Sequence, residues 1–184
     1  VFKSCDTSTG NNLFYDKTEC VRDNSTGLIW QGQTPAGTGL RANDQHKTNM
    51  DSTTLLQKWK GTRSDPDDGS LHPILDFEVP TEAEVNATTN AVGYKAAVNA
   101  TNLCGSATWR LPTIDELLTI VKTTEPLSID STWFPNTVRQ YYWTSTPYEG
   151  DAYLAITVLF GYDGLNYGGR FRSLSDNDRV RLVR

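Results

Sequence analysis

The chain has 184 residues, a length typical of one domain or of one domain with a long insertion. Hydrophobic residues make up 37% of it, which excludes a disordered chain, and no apolar run approaches the ~18 residues of a membrane-spanning helix. The net charge of −5 argues against a general nucleic-acid binder, because such proteins usually carry a basic excess.

The first 80 residues show few regular patterns. Residues 1–20 are polar and rich in turn-forming residues, and the sequence over 23–30 predicts a turn followed by a short strand at 28–30. Residues 31–80 have little periodicity, so this stretch is either an insertion with its own short helices or a functional loop. Within it, residues 50–60 are compatible with one short helix.

Helical patterns begin at residue 81. Thr81 and Glu84 have the spacing of a capping box, and an imperfect apolar face then predicts a helix over 81–103. A clearer helix is predicted over 113–122. Thr113 is its expected N-cap, and acidic residues occupy the first turn, where the helix dipole favours negative charge.

The pattern changes to β-strands near the C-terminus. Residues 141–148, 153–162 and 179–184 alternate or run apolar, with many β-branched and aromatic side chains, which predicts three strands. A glycine-rich turn region separates the last two. Because helices precede strands, we predict an α+β fold rather than a parallel α/β sheet.

Cysteine and histidine residues do not form the common metal or redox motifs. The three cysteines contain no CxxC pair and the two histidines no HExxH motif. Asp65, Asp67 and Asp68 form an acidic run that is a weak candidate for calcium, because it lacks EF-hand spacing and also fits a solvated loop. A second acidic cluster would form, if the C-terminal strands fold back, from Asp163, Asn166, Asp176 and Asp178.

Residues 141–184 differ in composition from the rest of the chain. They contain nine aromatic residues, whereas the other 140 positions contain ten, and they carry five arginines but no lysine. Tyrosine offers a large contact area at low entropic cost, and arginine binds carboxylate or sulfate groups. The bias is typical of a recognition surface, although a twisted sheet with glycine-rich turns would also produce it.

Five segments follow the order seen in one bacterial family. They are CVRDNSTGLIW at 20–30, LCGSATWRLPTIDELLTIV at 103–121, IDSTWFPNT at 129–137, YYWTSTPY at 141–148 and VRLVR at 180–184. Through them the chain resembles the Lcl C-terminal domain family, also known as DUF1566. The resemblance covers residues 15–34 and 90–184 of a single domain that spans 1–184, and residues 35–89 are interpreted as an insertion.

The resemblance implies a C-type-lectin-like fold, with two helices packed on a twisted, mostly antiparallel sheet with glycine-rich loops. Its best-known members are C-terminal domains of bacterial surface adhesins that bind sulfated glycans, which implies an extracellular or cell-surface location and host attachment, on a bacterium, a pilus or a phage. Some lectin-like domains of this sort are variable targets of diversity-generating retroelements, a role that residues 148–178 would suit. The charges of residues 141–184 balance, so a neutral sugar or a protein ligand is at least as compatible as a sulfated glycan.

Several residues of the matched segments are expected to support the fold rather than bind a ligand. Trp30, Trp109 and Trp143 are expected to pack in the core, because tryptophans in a fixed framework are more often structural. Arg110 is expected to pair with a carboxylate inside the domain, and Glu116 is the obvious candidate. The WRLP motif is therefore interpreted as structural.

The cysteines and hydroxyls bear on stability and catalysis. Cys20 and Cys104 lie inside the matched segments and Cys5 lies outside them, so the resemblance implies a Cys20–Cys104 disulfide, with Cys5–Cys20 as the alternative. Sulfatase-activating oxidases share the lectin-like fold in outline and use paired cysteines, but no such pair occurs here. No motif places a histidine beside Thr144 or Ser145, so we do not expect a Ser-His-Asp arrangement.

We therefore predict a non-enzymatic, extracellular module that binds a glycan or a surface protein. It is expected to need no cofactor, with calcium as the one candidate, and a homo-oligomer is compatible with the sequence. Tyrosine rings would stack on apolar patches of the ligand, and Arg and Asp would supply directional hydrogen bonds. The alternatives are an enzyme that uses a reactive cysteine or a metal, and a structural or oligomerisation cap of a surface fibre or pilus. The predicted ligand-binding face comprises Tyr148, Glu149, Asp151, Tyr153, Tyr162, Asp163, Asn166, Tyr167, Arg170, Arg172, Asp176 and Asn177.

Overall fold

The computed structural model describes the backbone of residues 2–4, 15–60, 62–64, 71–73, 77–161 and 170–184, and the side chains of 15–60, 77–161 and 170–184. These residues form short strands and short helices, so the predicted α+β class is confirmed. The strands are Phe2–Ser4 (β1), Cys20–Asp23 (β2), Ile29–Gln31 (β3), Lys58–Trp59 (β4), Thr62–Ser64 (β5), Leu71–Pro73 (β6), Phe77–Glu78 (β7), Tyr141–Pro147 (β8), Leu154–Leu159 (β9) and Arg170–Ser173 (β10). The helices are Glu82–Val85 (α1), Ala91–Ala100 (α2) and Ile114–Leu118 (α3), with a 3-10 turn at Leu103–Gly105.

Two three-stranded antiparallel sheets organise the fold. The first has the order β1-β2-β3 and pairs Val21 with Trp30, and the second has the order β10-β9-β8 and pairs Tyr142 with Val158. All four of these side chains are 0% exposed, so each sheet turns one face to the core. The strand predicted at 28–30 and the two predicted at 141–148 and 153–162 are confirmed, with small shifts at their ends.

The last residues of the chain connect the two sheets. The backbone nitrogen of Arg179 donates to Tyr141 O at 2.8 Å, and that of Ile29 donates to Arg184 O at 2.9 Å. Because this segment bonds first to β8 and then to β3, it forms isolated bridges, and the continuous strand predicted at 179–184 is wrong. The third strand of the C-terminal sheet is β10, which the sequence did not indicate.

The helix predicted over 81–103 is divided into α1 and α2. The capping box of Thr81 and Glu84 is present, as predicted. The buried amide of Asn90 then donates to Val85 O and to Met50 O, each at 2.7 Å, and so ends α1 by satisfying its last carbonyl. A single helix was therefore the wrong prediction, because its local pattern is interrupted by a contact with residue 50.

The helix predicted over 113–122 is shorter than expected. Thr113 caps it in a capping box with Glu116, which confirms the predicted start. The helix ends at Leu118, because Lys122 N donates to Ser128 O at 2.8 Å and turns the chain back on itself. Its apolar side packs against β8 and β9, and Leu117 is completely buried.

Residues 50–60 contain no helix, so the short helix considered for them is wrong. The buried side chain of Gln57 accepts hydrogen bonds from the backbone nitrogens of Asp51 at 2.9 Å and Ser52 at 3.1 Å. This side chain fixes a loop, and β4 then pairs with β7. Local propensity is overridden here by one buried amide.

The core contains the tryptophans that the sequence placed there. Trp30, Trp109 and Trp143 are at most 1% exposed, which confirms their structural role. Cys20 and Cys104 form a disulfide with a Cα–Cα distance of 6.7 Å, which ties β2 to the turn after α2. The implied pairing is therefore confirmed, and Cys5 lies outside the described residues.

Candidate functional site

A cleft of about 510 Å³ lies beside the end of β8. Its walls come from distant parts of the chain: residues 49–57, the first turns of α2, residues 110–111 and the β8–β9 hairpin. Its volume is within the range of about 300–1,000 Å³ that is usual for small-molecule sites. Two other grooves among the described residues are smaller, at about 470 and 400 Å³.

Buried amides fix the wall formed by residues 49–57. Asn49 donates to Thr144 O at 3.4 Å, and Gln57 donates to Asp51 Oδ1 at 2.7 Å and to Ala152 O at 3.4 Å. Asn49 is 7% exposed and Gln57 is 2% exposed, so neither amide is available to move. The wall is therefore positioned before any ligand arrives, which lowers the entropic cost of binding.

Some charged groups of the cleft form an ion pair within the protein, and others do not. Arg110 donates to both carboxylate oxygens of Glu116, at 2.7 and 2.6 Å. This bidentate pair, as predicted, raises the pKa of Arg110 and lowers that of Glu116. Lys95 and Asp151, in contrast, have no side-chain partner among the described residues, and Asp51 accepts only from the neutral amide of Gln57. These three side chains therefore bring one positive and two negative charges to the cleft.

An aromatic pair lies at one edge of the cleft, where Tyr148 lines the cleft and Phe171 packs against the Tyr148 ring. Tyr148 is 37% exposed and Phe171, on the edge strand β10, is 59% exposed. Their ring centroids are 4.8 Å apart with tilted planes. Exposed rings next to a polar cleft provide apolar contact area that the folded chain does not use.

The predicted ligand-binding face is distributed over several surroundings. Tyr148 and Asp151 line the cleft. Arg172 instead pairs with Asp178 at 3.1 Å and Asp176 at 3.3 Å, and its guanidinium lies 5.1 Å from the centroid of the Tyr141 ring. Burial raises the pKa of Asp178, and Arg172 opposes this effect.

The remaining described members of the face lie apart from the cleft lining. Tyr153 stacks on Phe77 with ring centroids 4.1 Å apart. Glu149 is exposed in the β8–β9 turn, and Arg170 is exposed at the start of β10. Asn177 lines a second groove.

Part of the predicted face and of the calcium prediction cannot be placed. The residues concerned lie outside the described ranges and are Tyr162, Asp163, Asn166, Tyr167, Asp65, Asp67 and Asp68.

Sequence reasoning missed the cleft residues that come from other segments. Lys95 lies on α2, and Leu55, which is 45% exposed, lies in the segment interpreted as an insertion. Leu55 and Leu56 mark this surface only once the structure is known, because the sequence does not show that these two leucines are exposed. Nothing in the linear sequence places Lys95 beside Asp151.

Buried cations, by contrast, belong to the framework. Arg181 is 1% exposed and donates to Gln31 O at 3.0 Å, Gln33 Oε1 at 2.8 Å and Thr137 Oγ1 at 2.8 Å. Burial lowers its pKa, since no carboxylate lies among these partners. The guanidinium thus ties β3, the loop before β8 and the closing segment together.

The described ranges of the chain contain neither a cluster of metal ligands nor a membrane-spanning helix. There, no three His, Cys, Asp or Glu side chains approach one another closely enough to hold a metal ion. Over the same ranges, no helix combines the length and apolarity needed to cross a membrane.

Comparison with known proteins identifies the family. No curated protein and no solved structure matches the chain. The model of the Lcl C-terminal domain matches residues 19–184, which include the disulfide, the WRLP motif, the cleft and the closing segment. The chain belongs to the Lcl C-terminal domain family.

Proposed function

We propose that this domain is a non-catalytic, adhesin-type module that acts outside the cell and binds a glycan or a protein ligand in the cleft. One observation carries the proposal. A prearranged cleft of about 510 Å³ combines an exposed aromatic rim with charged groups that no neighbouring side chain uses. Unused polar and aromatic groups at a concave surface are those that ligands contact.

The chemistry of the cleft favours a ligand without a large net charge. The exposed ring of Tyr148 would stack on the apolar face of a sugar or on an apolar side chain. Lys95 and Asp151 would exchange hydrogen bonds with hydroxyl groups or with charges of opposite sign. Because Arg110 is already neutralised by Glu116, the cleft has no basic cluster for a densely sulfated chain.

The hydroxyls in the cleft support a binding role over a catalytic one. Thr144 donates to Ile156 O at 2.6 Å, and Ser145 donates to Pro112 O at 3.2 Å. Each hydroxyl proton is therefore bound to a backbone carbonyl rather than directed to a side-chain base, as a nucleophile requires.

A C-type-lectin-like fold is part of the proposal. It is supported by family membership and by the contact of α3 with the antiparallel strands β8 and β9. The disulfide Cys20–Cys104 supports an oxidising compartment, and so a secreted or surface-exposed protein. Host attachment is the role that we propose for it there. Tyr148, Asp151 and Phe171 lie within residues 148–178, and these exposed or half-buried side chains would tolerate the variation of a retroelement target.

The test is a glycan array, run with calcium and again with a chelator, followed by cleft variants on every hit. Tyr148→Ala and Asp151→Asn should each reduce binding at least tenfold, whereas Asp115→Asn, the same change on an exposed aspartate of α3, should not. Tyr148→Phe separates the ring from its hydroxyl and should retain most binding. Hits that Tyr148→Ala and Asp151→Asn leave unchanged would refute the cleft as the site.

The two conditions of the array also decide the calcium question. Specific hits that disappear with the chelator would assign a calcium-dependent lectin and direct attention to the acidic clusters. Hits that survive it would show that binding does not need calcium, and the cleft variants would then decide whether the cleft is the site. An array without hits would favour a protein ligand or a structural role, and a protein ligand would be sought with the same variants as controls.

A structural or oligomerisation cap is the second candidate. It is favoured by Phe171, which is 59% exposed on β10 at the edge of its sheet. A subunit interface would cover this ring and complete the edge strand. Light scattering decides it: a strict monomer refutes the cap, and an oligomer that Phe171→Ser dissociates supports it.

A further inference from the structure

A second groove of about 470 Å³ lies apart from the cleft, between residues 48–50, β4, α1 and the turn after β10. We name it the Trp59 groove, and the lining residues used below are Trp59, Lys58, Glu84, Thr89 and Asn177. It shares no lining residue with the cleft. Any ligand it takes would therefore be bound independently.

Trp59 is the most exposed of the five tryptophans in the chain. It is 43% exposed, whereas Trp30, Trp109 and Trp143 are at most 1% exposed. Its backbone is fixed on both sides, because it pairs with Phe77 across β4 and β7 and its nitrogen donates to Ser175 Oγ at 3.2 Å. The indole is thus held at the groove by a fixed backbone while nearly half of its surface remains open.

Two polar side chains in the groove have no partner among the described residues. They are the amide of Asn177 and the hydroxyl of Thr89. The backbone at Asn177 is itself held, because His46 Nδ1 lies 3.1 Å from Asn177 O. The groove therefore presents an aromatic face together with uncharged donors and acceptors.

The charges at the groove are already neutralised within the protein. Lys58 contacts Glu78 at 2.9 Å and Glu84 at 2.8 Å, and Glu84 also accepts from Thr81. These contacts raise the pKa of Lys58 to about 12 and lower that of Glu84 to about 2. Among the described residues that line the groove, Lys58 is the one cation, and its ion pairs leave it unavailable for a sulfate or a carboxylate.

We infer that the Trp59 groove binds a neutral hexopyranose. The C–H face of the sugar ring packs on the indole of Trp59, since an aromatic plane matches the flat apolar face of a pyranose. Asn177 and Thr89 exchange hydrogen bonds with its hydroxyls. The site goes beyond the proposed function, because it is a separate groove that shares no lining residue with the cleft. Most of its lining lies in the segment that the sequence alone marked as an insertion.

The experiment is an NMR titration of the ¹⁵N-labelled, disulfide-intact chain. The probes are the methyl glycosides of glucose, galactose and mannose, with methyl glucuronide as the charged match to glucose. The indole N–H signal of Trp59 is assigned by its loss in Trp59→Phe, and the side-chain amide of Asn177 by its loss in Asn177→Ala. Signals of Lys95 and Asp151 report on the cleft in the same spectra.

At least one neutral glycoside should shift the Trp59 and Asn177 signals saturably, with a Kd on the order of 1 mM. Trp59→Ala should weaken this binding at least tenfold, as read from Asn177. Leu56→Ala, a change at a neighbouring side chain that is 56% exposed and does not line the groove, should not. Methyl glucuronide should bind several-fold more weakly than methyl glucoside.

Three results would overturn the inference. They are the absence of saturable shifts with all three neutral glycosides, equal binding in Trp59→Ala, and equal binding of the glucuronide. Shifts confined to Lys95 and Asp151 would also overturn it while leaving the cleft proposal intact. Shifts confined to the Trp59 groove would support it even if the cleft bound nothing.

Discussion

Arg110 and Glu116 form a bidentate ion pair, with Nη1–Oε2 and Nη2–Oε1 distances of 2.7 and 2.6 Å. The same carboxylate accepts from the backbone nitrogen of Thr113 at 2.8 Å and so completes the capping box of α3. One side chain thus starts the helix and holds the loop before it, at one wall of the cleft.

Removal of this carboxylate should weaken the whole domain. We expect Glu116→Ala to lower the free energy of unfolding by about 2 kcal/mol, because it removes an N-terminal cap and a charge-assisted pair. Urea unfolding measures the change. Asp115→Ala, which removes an exposed carboxylate from the same turn, should have less than half the effect, and equal effects would contradict this account.

The disulfide should account for a large part of the stability. Cys20 and Cys104 are 84 residues apart in sequence, and closing a loop of that length contributes about 4 kcal/mol in the chain-entropy model. The double change Cys20→Ala with Cys104→Ala should therefore lower the free energy of unfolding by that order. Cys5→Ser should leave it unchanged, and a free thiol at Cys20 or Cys104 in the unreduced protein would disprove the pairing.

Lys47 should make stability depend on pH above neutrality. Burial, assisted by Arg179, lowers its pKa from 10.5 to about 8. Between these values the unfolded chain binds the proton and the folded chain does not, so the free energy of unfolding should rise with pH. Below pH 8 both states are protonated, and the penalty for the buried ammonium is present in full.

The variant Lys47→Met provides the control for this slope. It keeps the length of the side chain that packs beside the Tyr94 ring, and the rise with pH should disappear in it. Denaturant unfolding is measured below pH 10, because burial raises the pKa of Tyr94 from 10.0 to about 12 and destabilises the fold above that range. An unchanged slope in Lys47→Met would assign the effect to another group.

Replacement of Gly93 by alanine should destabilise the fold, although this change normally stabilises a helix. A Cβ atom at this position would lie 2.2 Å from Asn86 O and 2.3 Å from Ala87 O, where α1 ends against α2. We expect Gly93→Ala to destabilise the fold by about 2 kcal/mol, although alanine has the higher helix propensity. The matched reverse change, Ala96→Gly on the exposed side of α2, should cost only about 1 kcal/mol, and a gain in stability for Gly93→Ala in urea unfolding would refute the close approach.

Elements with short-range causes were predicted well. The capping boxes at Thr81 and Thr113 need only residues three positions apart, and the paired strands β8 and β9 follow directly in the chain. The Arg110–Glu116 pair likewise spans six residues. Such features are encoded within a few turns of chain, where side-chain spacing and backbone geometry are directly related.

The elements that were predicted wrongly are those that depend on contacts between distant parts of the chain. Asn90 divides a helix because Met50 O and Val85 O both reach its amide, and Gln57 forms a loop where a helix was considered. The closing segment was predicted as a strand, but it divides its hydrogen bonds between two sheets. In each case buried polar groups form hydrogen bonds that the local sequence pattern does not indicate, and several of these bonds join distant parts of the chain.

The sequence by itself determined the family, the α+β class, the starts of α1 and α3, the tryptophan core and the disulfide. Only the tertiary structure decided which of the candidate binding groups lie together at a concave surface without a partner among the described residues. Tyr148 and Asp151 meet Lys95 in one cleft, Arg172 is occupied by its own carboxylates, and Trp59 is exposed at a second groove. Composition selects residues that are able to bind, but whether a charge is free depends on which neighbours folding brings within hydrogen-bond distance.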